Sequence, residues 1–220
     1  MPVHLRPMAP TAHDAIVCGD PARALLIAEA LLPKPRMSNH HRGLWGYWGT
    51  DLAGCDLTVQ STGIGGPSAA VVVEELAGLG VRRLIRIGSA RTGAGGASVG
   101  TAFAVSSAVA GDGASVALGN EPGAVLEPDP ELTGKLRLEL PRHGRVLSRD
   151  LHPSPAQPPP ADAYATDLQT AAILTAAGRY EIAVAAALLI TESGGVRLED
   201  DPLEAGMRVL GGAAQRALHS

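Results

Sequence analysis

Aromatic side chains are nearly missing from this chain: one Phe, two Trp and three Tyr make up 3% of 220 residues. A core must therefore be filled by Ala, Val, Leu and Ile, and an apolar content of 45% suffices for a sizeable one. Cysteine is equally scarce. Cys18 and Cys55 are the whole set, which reads as reduced thiols rather than a disulfide framework. Charge of one sign is not in excess either. The formal net charge of −4 gives no electrostatic argument for nucleic acid or an anionic membrane. No long hydrophobic run exists: the longest, Ile182 to Ile190, is far too short to span a bilayer. The opening MPVHLRPMAP lacks the apolar stretch of a signal peptide. These absences predict a soluble cytoplasmic protein with no nucleic-acid or membrane partner.

What is present alternates. DAIVCGD (14–20) is an apolar run ending in a Gly turn, and PARALLIAEALL (21–32) follows with Pro in a helical first turn. DLTVQSTG (56–63) reads as a strand and PSAAVVVEELAGLG (67–80) as a helix closed by Gly. RLIRIGS (83–89) and TAFAVSSAVA (101–110) read as strands. A weak helix (130–140), a brief strand (144–148), a helix over 166–178 capped by Thr166, a long buried strand (181–193) and a last helix (201–218) complete the series. Strands alternating with helices imply an α/β sheet covered on both faces. No composition shift or repeat marks a boundary, so residues 1–220 are read as one domain. The Pro-rich HPSPAQPPPADA (152–163) excludes a helix and suggests an extended surface loop. The Gly-rich 92–100 reads as a second loop.

Within LIRIGS (84–89), Arg86 is out of place. A guanidinium inside an apolar strand costs several kcal/mol unless an anion meets it. Three Gly turns follow three strands: CGDPAR (18–23), STGIGGPS (61–68) and RIGSARTG (86–93). In α/β sheets, ligands collect at the carboxyl ends of strands, and helix N-termini favour anions. Arg23, Arg86 and Ser89 could thus converge on one anion. GIGGPS lacks the third Gly of a dinucleotide fingerprint, and Pro67 removes an N–H donor. Arg86 could instead pair with Glu74 or Glu75.

Taken in order, four motifs resemble the nucleoside phosphorylase family that includes hexameric purine nucleoside phosphorylase and uridine phosphorylase. GDPAR (19–23) is similar to its phosphate turn, and HHRGLWGYWGTDLAG (40–54) to the purine enzyme's Arg-Gly segment. GIGGPSAAVVVEEL (63–76) is similar to its Gly-x-Gly-x-Pro-Ser helix start, and VRRLIRIGSA (81–90) to its Ile-Arg-x-Gly strand. The resemblance implies a three-layer α/β/α fold whose mixed central sheet is partly barrel-like. It implies a transferase that cleaves the N-glycosidic bond of a nucleoside with inorganic phosphate, without metal or cofactor. Phosphate would meet Gly19, Arg23, Arg86 and Ser89. Arg42 would reach it from the neighbouring copy, and His4 would serve that copy's sugar pocket, so a homo-oligomer is expected.

The departures fall on the nucleoside side. Where the family has Glu-Met-Glu, this chain has Asp167, Leu168 and Gln169. Gln169 can hydrogen-bond two ribose hydroxyls, without charge assistance. Ser193 falls on the purine enzymes' catalytic Asp, and a hydroxyl is a poor general acid near neutral pH. Glu192 sits one residue earlier, and regular alternation points it to the opposite face, so it compensates only in a bulged strand. His152 stands where a stacking aromatic is expected. Three readings stay open: a phosphorylase with an altered base site, a catalytically weak nucleoside- or phosphate-binding homologue, and a nucleosidase.

Overall fold

A computed structural model describes residues 2–93, 95–152 and 163–220. The Pro-rich segment expected to form a surface loop falls almost wholly outside the described residues. In chain order the elements are β1 (Asp14–Cys18), α1 (Pro21–Leu31), β2 (Arg36–Asn39), a 3-10 turn (His41–Gly43), β3 (Gly46–Thr50), β4 (Asp56–Ser61), α2 (Gly65–Gly78) and β5 (Arg83–Thr92). There follow β6 (Ala102–Gly111), α3 (Gly113–Ala117), β7 (Val125–Leu126), α4 (Pro130–Glu139), β8 (His143–Arg149) and β9 (Ala165–Asp167). The chain ends with α5 (Thr170–Arg179), β10 (Ala183–Ser193), β11 (Val196–Arg197) and α6 (Asp200–His219).

The strands form one mixed sheet. β5, β10, β6, β8 and β9 close on one another, because β5 pairs with both β10 and β9. β1, β4, β3 and β2 extend from β5 as an open wing. β1 lies parallel to β4 and β5, and β5 parallel to β10. Strand alternation sends Leu84 to one face and Ile85 and Ile87 to the other. On the first face, Val72, Leu76 and Ile173 from α2 and α5 pack against Leu84, Val105 and Leu188. On the second, Ile27, Leu136 and Leu210 from α1, α4 and α6 pack against Ile16, Ile85 and Ala187. The expected three-layer, partly barrel-like α/β fold is what the chain adopts.

Local chemistry sets the elements that carry the cleft. Asp20 caps α1, its carboxylate accepting from the N–H groups of Ala22 and Arg23, and Pro21 fills the first turn. α2 has no side-chain cap. The turn before it passes through Gly63 and Gly65 at φ +72° and +82°, where a Cβ would be strained. The helix expected from Thr166 starts later. Residues 165–167 pair as β9, and Asp167, not Thr166, accepts from the first free N–H groups, those of Gln169 and Thr170. Strands β2, β3, β7 and β11 and the short helix α3 were not anticipated.

Candidate active site

β1, β5, β9 and β10 end together at one cleft of about 400 Å³. Gly19, Arg23, Arg86, Ser89, His152, Asp167, Leu168, Gln169 and Glu192 all line it. The structure thus gathers nine residues that lie between positions 19 and 192 of the sequence.

Arg86 is 3% exposed, and the carboxylate that meets it is Asp167. Its Nη2 donates to Asp167 Oδ2 at 2.8 Å, its Nη1 to Gln169 Oε1 at 2.9 Å and its Nε to Thr170 Oγ1 at 3.0 Å. Neither Glu74 nor Glu75 takes that part. Glu75 instead accepts the N–H groups of Val3, His4 and Leu5 and the His4 ring, tying down the N-terminal segment. Asp167 also accepts from Ser148 and Thr170 hydroxyls, so its buried charge is fully hydrogen-bonded. A guanidinium has five N–H donors. One on each terminal nitrogen of Arg86 has no partner among the described residues, and Arg86 lines the cleft. Gly88 makes this possible. A Cβ there would lie 2.8 Å from Arg86 Nη2.

Gln169 is committed differently from its expected role at ribose hydroxyls. Its nitrogen donates to the carbonyls of Gly63 at 2.6 Å and Gly65 at 3.2 Å, and its oxygen accepts from Arg86. The side chain is an internal brace between the β4–α2 turn and the arginine. Cys18 also borders the cleft. Burial pushes its thiol up to about 12, with the Asp20 charge adding, so it stays protonated and inert.

The other end of the cleft corrects a sequence expectation. The ladder between β5 and β10 shifts register between Ile190 and Glu192, so Thr191 is an extra residue. The bulge resets alternation. Thr191 and Glu192 both line the cleft, whereas Ser193 does not. The carboxylate expected to face away is therefore the one that faces in. Arg91 Nη2 lies 3.3 Å from Glu192 Oε2, both side chains about one-third exposed. Arg91 and Arg197 line this end with His152. Burial and the Arg91 charge hold His152 below the usual imidazole value, against the pull of Glu192.

Arg42 and His4 are not in the cleft. Arg42 is exposed on the 3-10 turn, at φ +59°. His4 lines a separate hollow on the outer face of α2, with Val71 and Glu75. Sequence reading missed Arg91, Arg197 and Asp200. Arg91 had a usable signal: it is a second arginine on the strand that carries Arg86.

Three comparisons place this geometry. The sequence model of the phosphorylase superfamily matches residues 13–168. Uridine phosphorylase of Salmonella typhimurium is 44% identical over 105 residues, 48% of this chain and 41% of that protein. A DeoD-type purine nucleoside phosphorylase of Oceanobacillus iheyensis is 42% identical over 91 residues, 40% of this chain and 38% of that protein. The matched stretch therefore spans about two-fifths of the length of these curated relatives. A crystal structure of uridine phosphorylase from Vibrio fischeri superposes with a TM-score of 0.81 at 22% identity, covering 95% of this chain and 92% of that one.

Proposed function

Because the chain belongs to the phosphorylase superfamily, we propose that it is a nucleoside phosphorylase: it cleaves a nucleoside with inorganic phosphate to free base and (deoxy)ribose 1-phosphate. The observation that carries this reading is one cleft lined by Gly19, Arg23, Arg86 and Ser89, all within the matched stretch. Phosphate is a multiply charged acceptor, and guanidinium N–H groups are its strong partners. Arg86, held at three points by Asp167, Gln169 and Thr170, arrives pre-oriented with two donors left.

In this reaction a phosphate oxygen forms a bond to C1′ as the C1′–N bond breaks. The sugar gains positive character in the transition state, and the adjacent dianion stabilises it. The electron pair of the broken bond goes to the base, which leaves more readily when protonated. Glu192 is the acid we assign to that step, because the bulge turns it into the cleft and Ser193 out of it. Arg91 holds its carboxylate in place. Two arginines and a histidine at this end make the base site unlike a plain apolar slot, so an altered base preference belongs to the proposal. Phosphate is the co-substrate, with no organic cofactor. Exposed Arg42 and the outward His4 suit the completion of a neighbouring copy's site, so the working form we propose is a homo-oligomer of dimer or hexamer type.

The test is a nucleoside panel incubated with and without phosphate and assayed for free base. Phosphate-dependent release is the expected outcome. Phosphate-independent release would make the protein a nucleosidase, and binding without release a binding homologue.

A further inference from the structure

We propose that Asp51, Cys55 and His219 form a site for a divalent metal ion of the zinc class, remote from the cleft. Asp51 and Cys55 bracket the turn between β3 and β4, and His219 ends α6. One donor atom from each lies within 4.8 Å of the other two. None of the three lines the cleft.

Two independent features point to a cation. The first is the carboxylate. The Asp51 side chain is 2% exposed, and among the described residues its one ion-pair partner is His219, with Nδ1 3.0 Å from Oδ2. Its remaining contacts are neutral donors: the N–H groups of Ala53 and Cys55 and the Gln215 side-chain amide. A buried carboxylate is normally met by a full positive charge or a metal. The second is His219 Nε2, which is buried without a hydrogen-bond partner. A protonated ring leaves an N–H unsatisfied there, and a neutral ring brings no charge to Asp51. An ion ligated by Nε2 would satisfy that nitrogen and bring Asp51 the charge that a neutral ring does not.

The donor set selects the ion. Magnesium and calcium require oxygen ligands. One thiol, one imidazole and one carboxylate suit zinc or cobalt(II), with water as a fourth ligand. Cys55 is a free, half-buried thiol. The hydrogen bonds that the backbone N–H groups of Ala53 and Cys55 donate to Asp51 Oδ1 fix the turn and orient its carboxylate beforehand. Closing the site binds the end of α6 to the β3–β4 turn. The other end of α6 carries Asp200, Leu203 and Met207 to the cleft, so the ion acts as a clamp on a helix that shapes the pocket.

The test is metal binding to the full chain, with no activity assay, so its outcome is separate from that of phosphorolysis. Chelator-treated protein is titrated with zinc and, in parallel, with cobalt(II). One ion per chain is expected, with a thiolate-to-cobalt charge-transfer band. Zinc should raise the melting temperature, because it binds the native state. Cys55→Ser, nearly isosteric, and His219→Gln, which keeps a donor for Asp51, should each weaken zinc by at least about 100-fold. The cobalt band should vanish in Cys55→Ser. Equal zinc affinity in Cys55→Ser and wild type would mean an adventitious ion only and would overturn the proposal. So would stabilisation by magnesium equal to that by zinc, or less than one zinc per chain at saturation.

Discussion

The lining of the cleft divides at residue 168, where the superfamily match ends. Before it stand Gly19, Arg23, Arg86 and Ser89, the proposed anion-binding set, supplied by strand ends and Gly turns. After it stand Thr191, Glu192, Arg197 and Asp200, supplied by a bulged strand, a hairpin and a helix start. The first group is locked: Arg86 is buried and bound at three points. The second is loose: Glu192 is about one-third exposed and meets Arg91, an equally exposed residue from the first stretch, at 3.3 Å. Under the proposed function, the phosphate common to every substrate demands fixed partners, whereas the region that sorts among bases tolerates change. The two regions should therefore fail in different ways when mutated.

The largest effect is expected at Arg86. Arg86→Ala strands Asp167 as a buried charge and should cost about 3–5 kcal/mol, measured by denaturant unfolding. Arg86→Met combined with Asp167→Asn removes both charges while keeping an acceptor for Ser148 and Thr170. Much of the stability should return, yet phosphate-dependent base release should stay lost. Restored turnover in the double variant would remove Arg86 from the phosphate site.

Glu192→Gln should act on rate alone. General-acid loss is worth about 10²–10⁴ in turnover of an ordinary purine nucleoside. A nucleoside whose base already carries positive charge, such as 7-methylguanosine, should suffer much less. Stability should barely move, since exposed ion pairs contribute about 0–1 kcal/mol. Ser193→Ala should leave turnover unchanged, and a large loss there would reverse the roles assigned to the two residues.

Gly88→Ala tests how rigid the first group is. The added Cβ meets a guanidinium that three hydrogen bonds prevent from retreating. A cost of about 1–3 kcal/mol is expected, with a smaller thermal shift on adding phosphate.

The smallest effect concerns residues 2–12, the other stretch outside the match. Burial raises the Glu75 carboxyl, but hydrogen bonds from Leu5, His4 and Val3 outweigh it and hold it below its ordinary 4.5. Such a group contributes fully above pH 4.5, and its contribution is lost as pH falls through the lower folded value. Amide exchange at Leu5 should accelerate over that acid range before exchange in β1 does. Simultaneous acceleration would show that the segment does not open by itself.

Much of this architecture was legible in the sequence. Apolar runs marked β1 and β5, alternation of Leu57 and Val59 with polar residues marked β4, and Pro21 after Asp20 marked α1, because those signals are local. β9 was read as a helix start since Thr166 resembles a cap, while Asp167 does the capping. β2 and β3 lie in a stretch rich in Gly and His without a clear apolar period. Arg86 announced that it needed an anion. Its partner, Asp167, lies 81 positions away, and no local pattern links them. Glu192 was misplaced for a similar reason: alternation presumes a regular strand, and a bulge is a pairing property of two.

That bulge has a bearing on how this site changes over descent. Side-chain alternation along β10 works like a phase, and the extra residue at Thr191 shifts it by half a cycle. Were the ladder to lose its bulge with the sequence unchanged, Thr191 would stand opposite Arg91, sending Glu192 outward and returning Ser193 to the cleft side without altering any side chain. A one-position slip in pairing could thus exchange a carboxylate for a hydroxyl at this end of the pocket, whereas deletion of Thr191 would leave Glu192 opposite Arg91. Sequence alignments that slide this segment by one position would then assign the acid to the wrong residue.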